Sequence, residues 1–443
     1  MYRGSRDNSY AQRGAYTRGM VSLVQTVQND MLPLLEDLRI VELAAFVAAP
    51  LCGLTLARMG AEVIRIDPIG GGPDAGRWPL APDGTSLYWQ GLNKAKKSVA
   101  LNLFTAEGRE LALAIAAAPG ARGGSLLTNY PSGSFVSHEA LARRRPDMIT
   151  VRITGWGDGS SATDATVSAT LGVPMMTGPE RMGDEPVNPV IPAWDIAAAN
   201  HAAFAFLAAE RRRNKTGNGA EIRLALGDIA MAALADLGMV AEAALSGADR
   251  PRQGNQLFGG FGRDFATADG QRVLIMALTR RHWTDLVKAL AIGAEIERLQ
   301  ERLETDFSAD ESARFIHREA LNAIVAPAVA GMTSDRLAAA FAGTAVCWAP
   351  YNSLSNAIGP GRPISTANPQ FFPVEHPGGH AYPTPAGPVF LDGIERRAPR
   401  CAPRLGEHTD EILAEVLGLS DGQIGGLHDE GLAAGPGATT RTA

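Results

Sequence analysis

Ile191-Pro192-Ala193-Trp194-Asp195 runs straight into an alanine-rich helical pattern over 196–213, which closes on Lys215-Thr216-Gly217-Asn218-Gly219. A carboxylate at a helix start faces free backbone N–H groups and the positive end of the helix dipole, which favours its ionised form. An ionised, sheltered carboxylate can attack an activated acyl group. Asp before a helix is also the ordinary N-cap residue, so this segment alone leaves Asp195 with two readings. Lys94, Lys96 and Lys97 cluster in a loop that suits either phosphates or plain solvent. The triple glycine Gly70-Gly71-Gly72 lacks the spacing of a GxGxxG fingerprint, and it follows the second expected strand rather than the first, which argues against dinucleotide binding. The eight histidines form no HxH or HExxH set, so no metal site is expected.

These residues must be positioned by a regular alternation of elements. Strands are expected over 39–43, 61–66, 98–103, 125–128, 149–154 and 220–226. Helices are expected over 50–60, 106–118, 137–145, 196–213 and 228–245. Such alternation predicts a parallel sheet covered by helices, with ligands beyond the carboxyl ends of the strands. The composition shifts to Gly, Arg, Asp and Pro near 247–254, a plausible boundary. Beyond it come a hairpin over 265–277 around Asp269-Gly270, helices over 282–290, 295–303 and 312–324, strand character over 345–351, and a last helix over 410–417.

At 443 residues, two domains are the natural expectation. A net charge of −6 offers no basic field, so neither nucleic acid nor an anionic membrane is an expected partner. Cys52, Cys347 and Cys401 form no CxxC and suit a reducing, cytoplasmic setting. No run approaches the ~18–20 apolar residues of a membrane span. Residues 1–35, with Arg3, Arg6, Arg13 and Arg18 but no apolar signal core, are read as an extension outside the fold.

Val41-Glu42-Leu43 through Pro50, Gly60 to Pro68 (GAEVIRIDP), Leu92-Asn93 with Lys96 and Ser98, Asn129, Asp195 with KTGNG, Gly254-Asn255, Asp269-Gly270, Ala349-Pro350 and Leu405 to Thr409 (LGEHT) resemble the family III CoA-transferases in their order and spacing. The resemblance runs from about Leu38 to the C-terminus. It implies an α/β fold: a Rossmann-like large domain built from both chain ends (36–245 and 346–443, the latter with a linker), a smaller α+β domain (250–345), and an interlocked homodimer. It makes Asp195 the nucleophile on a CoA thioester. Phe46, Val47, Ala48, Arg65, Lys96, Leu101, Asn102, Asn129 and Tyr130 would bind CoA. The loop Gly259-Gly260-Phe261-Gly262 would approach the acyl group, with Arg252 or Arg263 holding a free carboxylate. CoA enters as part of the substrate, and no cofactor is implied.

Val47 stands where the formyl-CoA branch has Gln. Thr163-Asp164 stands where the racemase branch has His-Asp, so that branch's general base is missing. FVAAPLCGLTLARMGAEVIRIDPIGGG, VIPAWDI, RPRQGN with FGRDF, and RLGEHTDEIL are similar to the branch that moves CoA between the C1 and C4 carboxyls of mesaconyl-CoA. The alternative within the family is intermolecular transfer from a donor such as succinyl-CoA. An NAD-dependent oxidoreductase and a non-catalytic CoA-binding protein are the rivals from other classes. His201 is expected to pack in the core, and His408 to fix local structure.

Overall fold

The computed structural model of the chain describes residues 32–437. The apolar residues of the first strand alternate, and this puts Ile40 on one face of a sheet and Val41 and Leu43 on the other; Val63 and Ile64 divide in the same way. Six strands run parallel: β1 (Arg39–Leu43), β2 (Glu62–Pro68), β3 (Lys97–Leu101), β4 (Ser125–Thr128), β5 (Ile149–Thr154) and β6 (Ala220–Ala225). Their spatial order is β3-β2-β1-β4-β5-β6, and a two-residue strand from the far end of the chain, Ala433–Ala434, pairs antiparallel to β3. Both chain ends therefore build one sheet.

Both faces of the sheet are covered, as a parallel sheet requires. On one face lie α1 (Ala48–Arg58), which follows β1, and α7, the 24-residue helix Ala193–Thr216. Between these two in the chain come α2 (Leu87–Asn93), α3 (Ala106–Ala116), α4 (His138–Arg144), α5 (Asp164–Thr170) and α6 (Val173–Met176). Ala198, Ala199 and Ala202 on α7 and Ala49 and Cys52 on α1 are fully buried. Small side chains at this contact let the two helices approach closely. The opposite face is covered by Ala112 and Ile115 of α3 and by Ile412 and Leu413 of the helix Thr409–Leu417. A third buried cluster, with Phe261, Trp283 and Phe307, joins β7 (Phe261–Ala266), β8 (Arg272–Ala277) and β9 (Cys347–Pro350) to the helices between them in sequence.

The structure departs from the sequence expectation in particular places. The helix expected over 228–245 is two, α8 (Leu226–Asp236) and α9 (Met239–Ser246), bent by 69° at Gly238, whose φ of 77° only glycine adopts freely. Among the described residues no single helix is long and apolar enough to cross a membrane. The hairpin begins at Phe261 rather than 265. A second hairpin, β10 (Phe371–His376) with β11 (His380–Pro385), and a helix over Asp421–Asp429 were not expected. Of the segment read as an extension, residues 1–31 lie outside the described residues, but Leu32, Leu34 and Leu35 donate backbone hydrogen bonds to Arg58 and Met59 at the end of α1 and belong to the fold.

Candidate active site

With the strand order 3-2-1-4-5-6, the connections from β1 and β4 diverge, leaving a crevice at their carboxyl ends. Two side chains shape the turn after β1. Asn129, just past β4, accepts from the Ala45 N–H at 3.2 Å and donates to the Ala45 carbonyl at 2.9 Å. Asp74 accepts from the Phe46 N–H at 3.2 Å. Phe46 is thereby held at φ 67°, a left-handed conformation unusual for a non-glycine residue. Its exposed ring meets the Arg77 guanidinium 5.5 Å from its centroid, and the same guanidinium lies 5.3 Å from the Tyr88 ring. Val47 is half-buried before α1, and Ala48 is buried in its first turn.

Asp195 is the third residue of α7, and another carboxylate caps that helix. Asp164 Oδ2 accepts the N–H groups of Trp194 and Asp195 at 2.7 and 3.2 Å. The Trp194 indole donates to Ser168 at 2.8 Å. Asp195 is half-buried and its carboxylate has no hydrogen-bond or ion-pair partner among the described residues. The sequence reading expected the helix start to favour its ionised form. Instead burial, and after it the charge of Asp164, push its pKa up to about 6. Tyr88 is near enough to feel that charge; burial foremost, and Asp195 among the charges acting on it, move its phenol up to about 12. The result is an uncommitted carboxylate of raised basicity within electrostatic reach of Tyr88, which together with Phe46 holds Arg77.

Arg65 and Lys96 need correction as phosphate contacts. Both lie inside the protein, in a charge network beneath the β1 turn. Lys96 donates to both Glu42 oxygens at 2.8 and 2.9 Å, to the Pro50 carbonyl at 2.9 Å and to Asn93 at 3.0 Å. Arg65 donates to Asp67, Asp74 and Asn93 between 2.9 and 3.1 Å. Their donors are spent on these internal partners. Leu101 is fully buried and pairs with Ala433 in the sheet, and Asn102 donates to the Gly431 carbonyl, so the segment 431–434 takes up contacts that the resemblance gave to CoA. Asn129 spends its amide on Ala45, while Tyr130 is half-buried with its ring edge-on to Phe135.

The expected substrate loop divides. Gly259 (φ 81°) is in a turn, but Phe261 and Gly262 are already β7, and Phe261 is buried edge-on to Trp283. Arg252 and Arg263 share a cavity of about 890 Å³ with Arg181, Arg250 and Gln253; Asp195 does not line it. Arg252 is tied to the Thr177 and Glu185 carbonyls, whereas Arg263, among the described residues, donates to the neighbouring Asp264 carbonyl, stands 3.9 Å from the Asp264 carboxylate and stays partly exposed. His201 is exposed on α7, not in the core. His408 does fix local structure, exchanging hydrogen bonds with the Ser98 backbone at 3.2 and 2.8 Å.

Asp74, Arg77 and Tyr88 are additions that sequence reasoning missed. The signal for Tyr88 was Ser86, whose side chain caps the seven-residue helix α2 by accepting from the Trp89 N–H at 3.0 Å.

The family model for CoA-transferase family III matches residues 35–409. A 2-methylfumaryl-CoA isomerase of Chloroflexus aurantiacus is 46% identical over 407 residues, covering 92% of this chain and 99% of its own. A succinyl-CoA:mesaconate CoA-transferase of Haloarcula marismortui is 29% identical over 86% of this chain and 96% of its own. Among solved structures, a CAIB/BAIF family protein from Brucella suis superposes with a TM-score of 0.69 at 25% identity, covering 87% of this chain and all of that one.

Proposed function

The chain belongs to CoA-transferase family III, and on that premise we propose that it moves CoA within one molecule, between the C1 and C4 carboxyls of mesaconyl-CoA (2-methylfumaryl-CoA). The observation that carries this reading is the end-to-end 46% identity to the Chloroflexus aurantiacus isomerase, against 26–29% for the relatives named for transfer from succinyl-CoA.

Asp195 is proposed as the nucleophile, supported by its uncommitted carboxylate and raised pKa. Its oxygen attacks the C1 thioester carbonyl; the C–S bond breaks, leaving a mixed anhydride and CoA thiolate. The thiolate attacks the aspartyl carbonyl, freeing the diacid and forming an aspartyl-CoA thioester. The C4 carboxylate then attacks that thioester, expelling thiolate, which takes the C4 acyl group and restores the Asp195 carboxylate. Each attack develops an oxyanion that backbone N–H groups can stabilise. Retaining the diacid makes the return step effectively unimolecular, where effective molarities reach ~10⁵ M. In this proposal the turn Phe46-Val47-Ala48 meets CoA, and Arg263, the less committed of the two arginines, meets the free carboxylate. The site is completed in a homodimer of large and small domains, supported by exposed apolar side chains on and around α7 to α9.

The test is incubation with mesaconyl-C1-CoA and no added acid, followed by liquid chromatography with mass detection. Appearance of the C4 isomer at unchanged mass supports intramolecular transfer. Turnover only after a second acid is supplied makes the enzyme an intermolecular CoA-transferase instead.

A further inference from the structure

Arg58, in the last turn of α1, is half-buried, and its guanidinium has no hydrogen-bond or ion-pair partner among the described residues; its Nε is fully enclosed. No acid offsets the burial, which by itself lowers its pKa. Lys94 lies close enough to feel its charge, buried and, among the described residues, donating only to the Gly91 carbonyl. Burial, then the charges of Arg58 and Lys96, push Lys94 down to about 7. An enclosed cation without a counter-charge is costly, so this corner of the protein favours a negatively charged ligand.

Arg58 lines a cavity of about 370 Å³ enclosed by α1, α7 and the segment 386–397. That volume falls within the ~300–1,000 Å³ of small-molecule sites. Its remaining walls are mainly apolar, including Leu51, Met59, Ile196, Pro388 and Val389. Among the charged groups at its rim, Glu395 is exposed and makes no ion pair with Arg58, and Arg396 is committed to the Val389 carbonyl at 2.6 Å. Arg397 also stands at the rim, exposed and without a hydrogen-bond or ion-pair partner among the described residues. The Arg58 guanidinium fork against apolar walls matches a carboxylate, whereas a phosphate would leave an oxygen against hydrocarbon.

We propose that this cavity is a second binding site, for a small carboxylic acid with an aliphatic body, its carboxylate on Arg58 and its chain against Leu51, Met59, Ile196 and Val389. Asp195 is not among the residues lining it, so it is separate from the proposed acyl site.

Calorimetric titration of the full-length protein with butanoate, hexanoate and hexanamide tests this. Saturable binding is expected, tightening about fourfold per added methylene. Hexanamide, and hexanoate on Arg58→Met, should bind at least about tenfold more weakly. Asp195→Ala should bind hexanoate like the wild type, which separates this site from the acyl site. Without ligand, Arg58→Met should raise Tm, because an unpaired buried charge is removed. Absence of saturable hexanoate binding, equal affinity for hexanamide, or loss of binding in Asp195→Ala overturns the proposal. The amide comparison holds even if the variant does not fold.

Discussion

A carboxylate that attacks a thioester has to be ionised, yet Asp195 is half-buried beside Asp164, and its pKa stands at about 6. The acid limb of kcat/KM should therefore fall as pH drops through about 6. Asp164→Asn removes the neighbouring charge while its amide oxygen can still accept from the Trp194 N–H. The limb should then move to lower pH, and a pH–rate profile reads the shift. The folded pKa lies above the ordinary 3.8 of an unfolded Asp, so the folded state prefers the proton. Stability from this group is full below pH 3.8 and is lost as pH rises through about 6. Asp195→Asn, which abolishes turnover on our reading, should thus stabilise the protein at pH 7–8 by up to about 3 kcal/mol and not at pH 3.5. Urea titrations at the two pH values check this. The position of Asp195 at a helix start was legible from PAWD and the alanines after it. Its raised pKa was not, because it comes first from burial and then from the charge of a residue 31 positions earlier, both products of tertiary packing.

Between elements, the turn after β1 depends on buried ions. Glu42, Asp67 and Asp74 face Arg65 and Lys96, and Asp74 passes the restraint on to the Phe46 N–H. Asp74→Ala should release Phe46 from its left-handed conformation. The proposed role in CoA binding then predicts a KM for the CoA thioester raised about tenfold, with kcat less affected, on the scale of one charge-assisted hydrogen bond. Gly53 on α1 leaves room for the same network, since a Cβ there would sit 2.0 Å from Glu42 Oε2. Gly53→Ala must displace that carboxylate from Lys96, and disrupting a buried pair costs roughly 3–5 kcal/mol. Chemical denaturation measures that loss. In the sequence Arg65 and Lys96 look like cations offered to a ligand. The register of β1 against β2, which aligns Glu42 with Arg65, turns Arg65 inward, and Lys96, just before β3, reaches the same Glu42.

At the scale of the whole molecule, large apolar side chains remain in solvent. Phe204, Leu237 and Leu245 are 76%, 73% and 90% exposed, and Val190 and Ile191 stand out just before α7. Apolar surface of this extent usually marks an interface. The proposed homodimer predicts about twice the 46.6 kDa chain mass in light scattering, and Leu237→Glu with Leu245→Glu should shift the protein toward monomer. A wild-type monomer would sink the dimer.

By itself the sequence determined the alternating strands and helices, the parallel sheet and the helix that carries Asp195, because side-chain periodicity is a local property of the chain. The motifs, in their order, also pointed to the family. Tertiary structure decided which charges are spent inside. It joined Ala433–Ala434 to β3 over Leu101, bent the helix pair at Gly238, set Asp164 against α7 and left Arg58 unpaired beside a cavity. Burial and pairing depend on which strands and helices become neighbours, and no residue's own type or spacing records that.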